Sequence, residues 1–241
     1  MSRAETYTMT DVDRQNLSMA ESYDVQALPE IWAIAAQRFG QAIVLNAPHL
    51  NPPVKLTFSE LAQQIQQFAS GLQALGVQKG DRICLFSDNS PRWLISDQGM
   101  MLAGAVNEEL LFLLENSGSI GLAVEDVATL KKLRDRLDAL PVKFIVLLTD
   151  ETPPDDASLK ILNFSQLMDL GASHSFQPVS RTLDELATLI YTSGTTGKPK
   201  GAMLTHGNLL HQVNTLGAVV QPKPGDRVLS ILPSWHAYER S

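Results

Sequence analysis

The sequence predicts an α/β fold in which a mostly parallel sheet is covered by helices. Short and almost continuously apolar segments at 82–86, 120–124 and 144–148 have the pattern of strands that are buried on both faces. An amphipathic segment at 127–140 lies between the second and the third of them. Strands that alternate with helices along a chain form parallel sheets with helices packed on both faces. A chain of 241 residues is long enough for one large domain or two small ones.

Helices are predicted before and after the first of these strands. One helix covers residues 29–39. A second begins at Thr57, because Glu60 follows three residues later and the two side chains have the spacing of a capping box. The pair Ser90-Pro91 predicts the start of a third, since proline suits the first helical position. The apolar face of the second helix is formed by Leu61, Ile65, Phe68, Leu72 and Leu75.

Charge and hydropathy exclude several classes of protein. The formal net charge of -7 argues against nucleic-acid binding, which depends on clustered Lys and Arg. No stretch reaches the roughly 18 apolar residues that span a bilayer, which leaves only a peripheral contact with a membrane open. Residues 1–25 contain acidic side chains and no hydrophobic block, so they predict a polar leader rather than a secretory signal. The single cysteine, Cys84, favours a reducing cytoplasm.

The segment 186–201 combines the groups that bind polyphosphates. An apolar strand, 186–191, leads into a loop that is rich in small and hydroxyl-bearing residues. Its glycines allow backbone N–H groups to approach a ligand, its hydroxyls donate hydrogen bonds, and its lysines supply positive charge. These residues are Thr192, Ser193, Gly194, Thr195, Thr196, Gly197, Lys198, Lys200 and Gly201.

Two other interpretations of this loop remain open from composition alone. One is a Gly/Thr/Ser loop that binds nothing. The other is a Walker-type nucleotide site, but that motif needs four residues between its glycines and Ser or Thr after its lysine. Here two residues separate Gly194 from Gly197, and Pro199 follows Lys198. Pro199 disfavours helical geometry at Lys198, so we expect an extended loop, with the next helix starting after Thr205 or His206.

Three motifs together resemble the adenylate-forming (AMP-binding) synthetase superfamily. They are Tyr191-Thr-Ser-Gly-Thr-Thr-Gly-Lys-Pro-Lys-Gly201, Thr205-His206-Gly207-Asn208, and Leu232-Pro-Ser-Trp-His-Ala-Tyr-Glu-Arg240. The last has the form typical of the branch that contains long-chain fatty acyl-CoA and acyl-carrier-protein synthetases. The resemblance also covers shorter segments at 56–61, 71–77, 80–82 and 88–93. It implies ATP-dependent activation of a long-chain fatty acid through an acyl-adenylate, followed by transfer to coenzyme A or to acyl carrier protein.

The resemblance also implies roles for individual residues. In the family, the loop that matches Thr192, Ser193, Gly194, Thr195, Thr196, Gly197 and Lys200 holds the phosphates of ATP, and the position of Thr192 also coordinates Mg²⁺. Lys198 occupies a position that varies in the family. His236 matches a histidine beside the acyl tunnel and the adenylate, where it can orient the carboxylate or shield the mixed anhydride. His206 is expected to support the start of a helix.

The sequence departs from the family in two places. Relatives have an additional stretch of residues after the segment that matches Gly104-Ala-Val-Asn107, so the gap here is either a deletion or a segment missing from the sequence. The family's later motifs and its C-terminal domain, which carries a catalytic lysine, have no match before Ser241. We therefore expect residues 26–241 to be an incomplete N-terminal AMP-binding domain that is inactive alone. The alternative is a non-catalytic nucleotide-binding or interaction module.

Overall fold

The computed structural model describes residues 24–108, 118–137, 141–192, 200–220 and 225–230. Its helices are α1 (Glu30–Phe39), α2 (Phe58–Ala74), α3 (Pro91–Leu102), α4 (Val127–Leu137), α5 (Phe164–Ser173) and α6 (His206–Val220). Its strands are β1 (Ile43–Ala47), β2 (Val54–Thr57), β3 (Arg82–Phe86), β4 (Val106–Glu108), β5 (Gly121–Val124), β6 (Phe144–Leu147), β7 (Lys160–Asn163), β8 (Leu186–Thr192) and β9 (Lys200–Thr205). None of the helices in these ranges has both the length and the apolar character needed to cross a bilayer.

Seven strands form the main sheet, in the order β7-β6-β5-β3-β4-β8-β9. Every pair from β7 to β8 is parallel, and β9 runs antiparallel to β8. Strands β1 and β2 form a separate antiparallel pair. The prediction of a mostly parallel sheet covered by helices is confirmed.

The helices cover both faces of the sheet because successive strand residues point to opposite sides. On one side, Leu85, Ala123 and Val146 share a hydrophobic cluster with residues of α2, α3 and α5. On the other side, Leu122 and Ile145 pack with residues of α4. A third cluster joins the segment before α1 to α3, β8 and α6, and its buried members are Val25, Leu28, Met101, Ala187, Leu209 and Leu210.

The helix starts that the sequence predicts are confirmed at atomic detail. The Thr57 hydroxyl oxygen accepts a hydrogen bond from the Glu60 N–H at 3.2 Å, and a Glu60 carboxylate oxygen accepts one from the Thr57 N–H at 2.8 Å. The Ser90 hydroxyl accepts from the Trp93 N–H at 3.0 Å at the start of α3. Helix α4 is described only to Leu137, so the predicted end at residue 140 lies outside the described residues.

Helices α2 and α5 pack with unusually close backbones. A Cβ atom added at Gly171 would lie 1.9 Å from the carbonyl oxygen of Gln67 on α2. One added at Gly71 would lie 2.6 Å from the carbonyl oxygen of Leu167 on α5. Both distances are far below van der Waals contact, so a larger residue at either position would force the two helices apart.

Candidate functional site

The candidate phosphate loop connects two strands of an antiparallel hairpin. The pairing of β8 with β9 extends from Leu186 opposite Thr205 to Thr192 opposite Lys200. The backbones of Thr192 and Lys200 are therefore adjacent, on either side of the loop 193–199. The residues of that loop lie outside the described residues.

The hairpin places this loop at the carboxyl edge of the parallel strands. Strand β8 is parallel to β4, and β4 is parallel to β3, so the carboxyl ends of all three strands lie at the same edge. Strands β4 and β5 flank β3 on opposite sides, which makes this part of the sheet a topological switch point. Ligands of open α/β sheets bind outside the carboxyl ends of strands at such points.

The helix after the hairpin begins well away from the loop. The Thr205 hydroxyl accepts a hydrogen bond from the Asn208 N–H at 3.2 Å, and the Asn208 side-chain oxygen accepts one from the Thr205 N–H at 3.0 Å. Strand β9 separates Lys200 from this start by about 17 Å, at 3.4 Å a residue. The expectation that no helix directly follows the loop, and that the next helix starts after Thr205, is confirmed, and this order of elements differs from that of a Walker-type site.

His206 attaches the start of α6 to the N-terminal segment. Its imidazole is 2% exposed, and its Nδ1 accepts a hydrogen bond from the backbone N–H of Leu28 at 3.3 Å. The backbone N–H of His206 donates to the backbone carbonyl of Glu185 at 3.0 Å. Burial, together with the positive charge of Arg181, lowers the pKa of His206 to about 4, although Glu185 opposes this shift. The expected role at the helix start is thus performed by Thr205 and Asn208, and the His206 side chain anchors the segment before α1.

Charged side chains fix the beginning of β8. The Lys79 ammonium lies 2.7 Å from a carboxylate oxygen of Glu185 and donates to the carbonyl of Ser180, also at 2.7 Å. The hydrogen bond from Lys79 lowers the pKa of Glu185. The Arg181 guanidinium donates to the carbonyl of Leu102 at the end of α3, and burial lowers the pKa of Arg181.

A buried set of polar side chains connects β8 to β4, α3 and α1, and we call it the polar network. The Thr188 hydroxyl donates to the backbone carbonyl oxygen of Asn107 at 3.0 Å. The Asn107 amide donates to Asp97 Oδ1 at 2.6 Å, and the Gln98 amide donates to Asp97 Oδ2 at 2.9 Å. The Trp32 indole N–H donates to the Gln98 amide oxygen at 2.9 Å.

Sequence reasoning missed the polar network, although one signal pointed to it. Asp97 and Gln98 interrupt a helix whose neighbouring side chains, Ile95, Met100 and Met101, are apolar and buried. Acidic side chains are almost never fully buried without partners, so an aspartate in this position indicates a structured contact. Its partner on β4 could not be identified from sequence.

The structure brings together only part of the predicted site. Thr192 is the last residue of β8 and Lys200 is the first residue of β9, and the description of both is limited to the backbone. The predicted site residues outside the described residues are Ser193, Gly194, Thr195, Thr196, Gly197 and His236. Within the described ranges, no group of three His, Cys, Asp or Glu side chains is arranged to hold a metal ion.

Comparison with known proteins gives consistent results. The family model described as AMP-binding enzyme matches residues 32–241. The chain is 37% identical over 91% of its length to the chloroplastic long-chain-fatty-acid–[acyl-carrier-protein] ligase AEE15 of Arabidopsis thaliana, of which it covers 34%. It is 32% identical over 77% of its length to the long-chain-fatty-acid–CoA ligase FadD15 of Mycobacterium tuberculosis, of which it covers 32%.

Solved structures show the same fold. The chain aligns with a long-chain-fatty-acid-CoA ligase, FadD1, from Archaeoglobus fulgidus with a TM-score of 0.75 and 23% identity, covering 89% of this chain and 44% of that one. The chain spans about a third of the length of the two curated relatives named above. Because the family model matches most of the sequence, the chain belongs to the AMP-binding enzyme family.

Proposed function

We propose that the complete protein activates a long-chain fatty acid with ATP and transfers the acyl group to a thiol. In the first step a carboxylate oxygen of the acid attacks the α-phosphorus of ATP, the bond to the bridging oxygen of the β-phosphate breaks, and pyrophosphate leaves. In the second step the thiol sulfur of coenzyme A or of acyl carrier protein attacks the acyl carbon. AMP leaves, and the thiol loses its proton. The observation that carries this proposal is the loop motif 191–201, framed by two strands at the carboxyl edge.

The proposed roles follow from the chemistry of the loop. The ammonium of Lys200 and the hydroxyls and N–H groups of Ser193, Thr195 and Thr196 hold the phosphates, because charge-assisted hydrogen bonds to phosphate are strong. Gly194 and Gly197 let the backbone approach them. Mg²⁺ is held by few protein ligands together with substrate phosphates, so a hydroxyl such as that of Thr192 suits it. The metal neutralises phosphate charge when bound. His236 orients the carboxylate or shields the adenylate.

Names of relatives support the substrate class. One similar protein is named as a ligase that uses acyl carrier protein and another as a ligase that uses CoA, and both names specify long-chain fatty acids. Both acceptors present a thiol, and we propose that the acceptor of this protein is one of these two.

The test is fatty-acid-dependent release of pyrophosphate by the protein expressed from its complete reading frame, with ATP, Mg²⁺ and a long-chain fatty acid. The Lys200→Ala variant should lose roughly 10- to 100-fold in kcat/KM, since a hydrogen bond to a charged group contributes about 1.5–3 kcal/mol. The matched control is Lys198→Ala, which removes the same charge two residues away and should have a smaller effect.

Two outcomes would contradict the proposal. If Lys198→Ala is as damaging as Lys200→Ala, the assignment of the phosphate contact is wrong. If the wild-type protein binds ATP but releases no pyrophosphate with any long-chain acid, a non-catalytic nucleotide-binding module becomes the better interpretation.

A further inference from the structure

The hairpin that carries the candidate loop is joined to the parallel strands through β4. Among the described residues, Asn107 and Glu108 of β4 are in register with Thr188 and Leu189 of β8. The position of β8 beside β4 determines where the loop begins, so side-chain contacts at this register help to define that position.

The polar network supplies such contacts at the same position in the sheet. Asp97, Asn107 and Thr188 are each fully buried, and Gln98 is 3% exposed. Asn107 accepts from the Thr188 hydroxyl through its backbone carbonyl oxygen and donates to Asp97 through its side-chain NH₂ group, so one residue of β4 contacts both β8 and α3. Hydrogen bonds are strengthened in such a low-dielectric interior, and a partner left unpaired there is costly.

We infer that Asp97 is a positioning residue for the phosphate loop, acting through Asn107 and Thr188. Asp97 holds the Asn107 side chain against α3, Asn107 fixes β4 beside β8, and Thr188 lies four residues before Thr192, where the loop begins. Small displacements of groups that bind a reacting phosphate are costly in rate, even when the mutation is remote. The catalytic part of this inference rests on the proposed function; the structural part does not.

The test uses a pair of reciprocal substitutions. In Asp97→Asn, one acceptor oxygen becomes an NH₂ group, so it can no longer accept from both the Gln98 and the Asn107 amides. The double variant Asp97→Asn/Asn107→Asp restores the pairing with exchanged roles. The new amide oxygen accepts from Gln98 and the new NH₂ donates to the carboxylate at position 107. Gly171→Ala serves as the destabilising control, because its clash lies between α2 and α5 and involves no member of the network.

Two readouts on the complete protein separate positioning from general instability. For Asp97→Asn, the amides of 186–192 and 200–205 should exchange with deuterium about tenfold faster, while those of 164–173 change little. The KM for ATP should rise about tenfold, and the double variant should return it to within about threefold of wild type. Loss of folded protein alone lowers kcat and leaves KM unchanged, and this is the pattern expected for Gly171→Ala.

An unchanged KM for ATP in Asp97→Asn, or a double variant as impaired as the single one, would overturn the inference. So would a rise in exchange that is as large in 164–173 as in the hairpin. If the wild-type protein releases no pyrophosphate, the proposed function fails by itself, and the exchange of the hairpin in the single and double variants decides the structural inference.

Discussion

The two ends of the main sheet are held by different kinds of contact. At the β7 end, α2 and α5 pack backbone against backbone around Gly71 and Gly171, and the adjacent strands pair over four positions. At the β9 end, the described pairing of β4 with β8 is supplemented by the polar network and by the His206–Leu28 hydrogen bond. Close packing of this kind depends little on pH, whereas a polar contact depends on the protonation of its groups. The candidate loop is therefore attached to the end of the sheet whose stability is expected to change with pH.

The largest change in stability is expected when the helix packing at the β7 end is disrupted. Gly171→Ala places a methyl group against the carbonyl of Gln67, so α2 and α5 must separate. Overpacking of this kind costs about 3 kcal/mol of unfolding free energy, measurable by denaturant unfolding. Gly217→Ala is the matched control, because a Cβ there meets no atom within 4 Å. In helix α6 it should stabilise by up to about 1 kcal/mol. An unchanged unfolding free energy for Gly171→Ala would show that the α2–α5 contact is adaptable.

A pH-dependent change in stability is expected at the β9 end, where His206 is buried. The pKa of His206 is lowered from an ordinary value of 6.5 to about 4, so between these values the unfolded protein binds a proton that the folded protein does not. The titration of His206 therefore does not reduce the free energy of unfolding above pH 6.5, but it reduces this free energy as the pH falls from 6.5 towards 4. The loss approaches about 3 kcal/mol, because each pKa unit corresponds to about 1.4 kcal/mol.

Unfolding of His206→Gln and wild type should be compared at several pH values between 7.5 and 4.5. The variant should be less stable at high pH, because the contact with Leu28 is altered, but its stability should fall less steeply. His174→Gln, at an exposed position, controls for the substitution itself. Parallel curves for His206→Gln and wild type would show that His206 does not titrate in this way.

The smallest effects compare equivalent helix caps at the two ends. Thr57→Ala and Thr205→Ala each remove a hydroxyl that accepts from the third residue of a helix, and each should cost about 1 kcal/mol. We expect Thr57→Ala to lower global stability, because α2 forms part of the main core. Thr205→Ala should instead increase deuterium exchange locally in 206–213. Equal global losses would mean that the two ends unfold as one unit.

Local signals in the sequence were sufficient for much of the fold. The capping pair Thr57 and Glu60, the Ser90-Pro91 start and the apolar runs of β3, β5 and β6 were all identified correctly. Strand β7 and helix α5 were missed, although Asn163 and Gln166 form a capping box that could have indicated the helix. Strand β7 lies at the sheet edge and is only partly buried, so it lacks a continuous apolar pattern.

The candidate site was predictable only as far as its motif. The sequence identified the loop between Thr192 and Lys200, and Pro199 indicated that no helix follows it directly. The polar network could not be predicted, because Thr188 and Asn107 are 81 residues apart in the chain. A contact of that kind depends on which strands become neighbours, and this is decided by the packing of the whole sheet. The roles of Ser193, Gly194, Thr195, Thr196, Gly197 and His236 stay predictions.

The pairing of Thr192 with Lys200 has a consequence for nucleotide affinity. It fixes both ends of the segment 193–199 before any ligand arrives, so the entropy of closing this loop is lost when the hairpin folds. The binding free energy of a nucleotide would therefore not have to compensate for this loss of entropy. Closure entropy grows slowly with length, by about 0.6 kcal/mol for each doubling. The affinity of such a loop would therefore depend more on keeping the last strand pair intact than on the number of residues it contains.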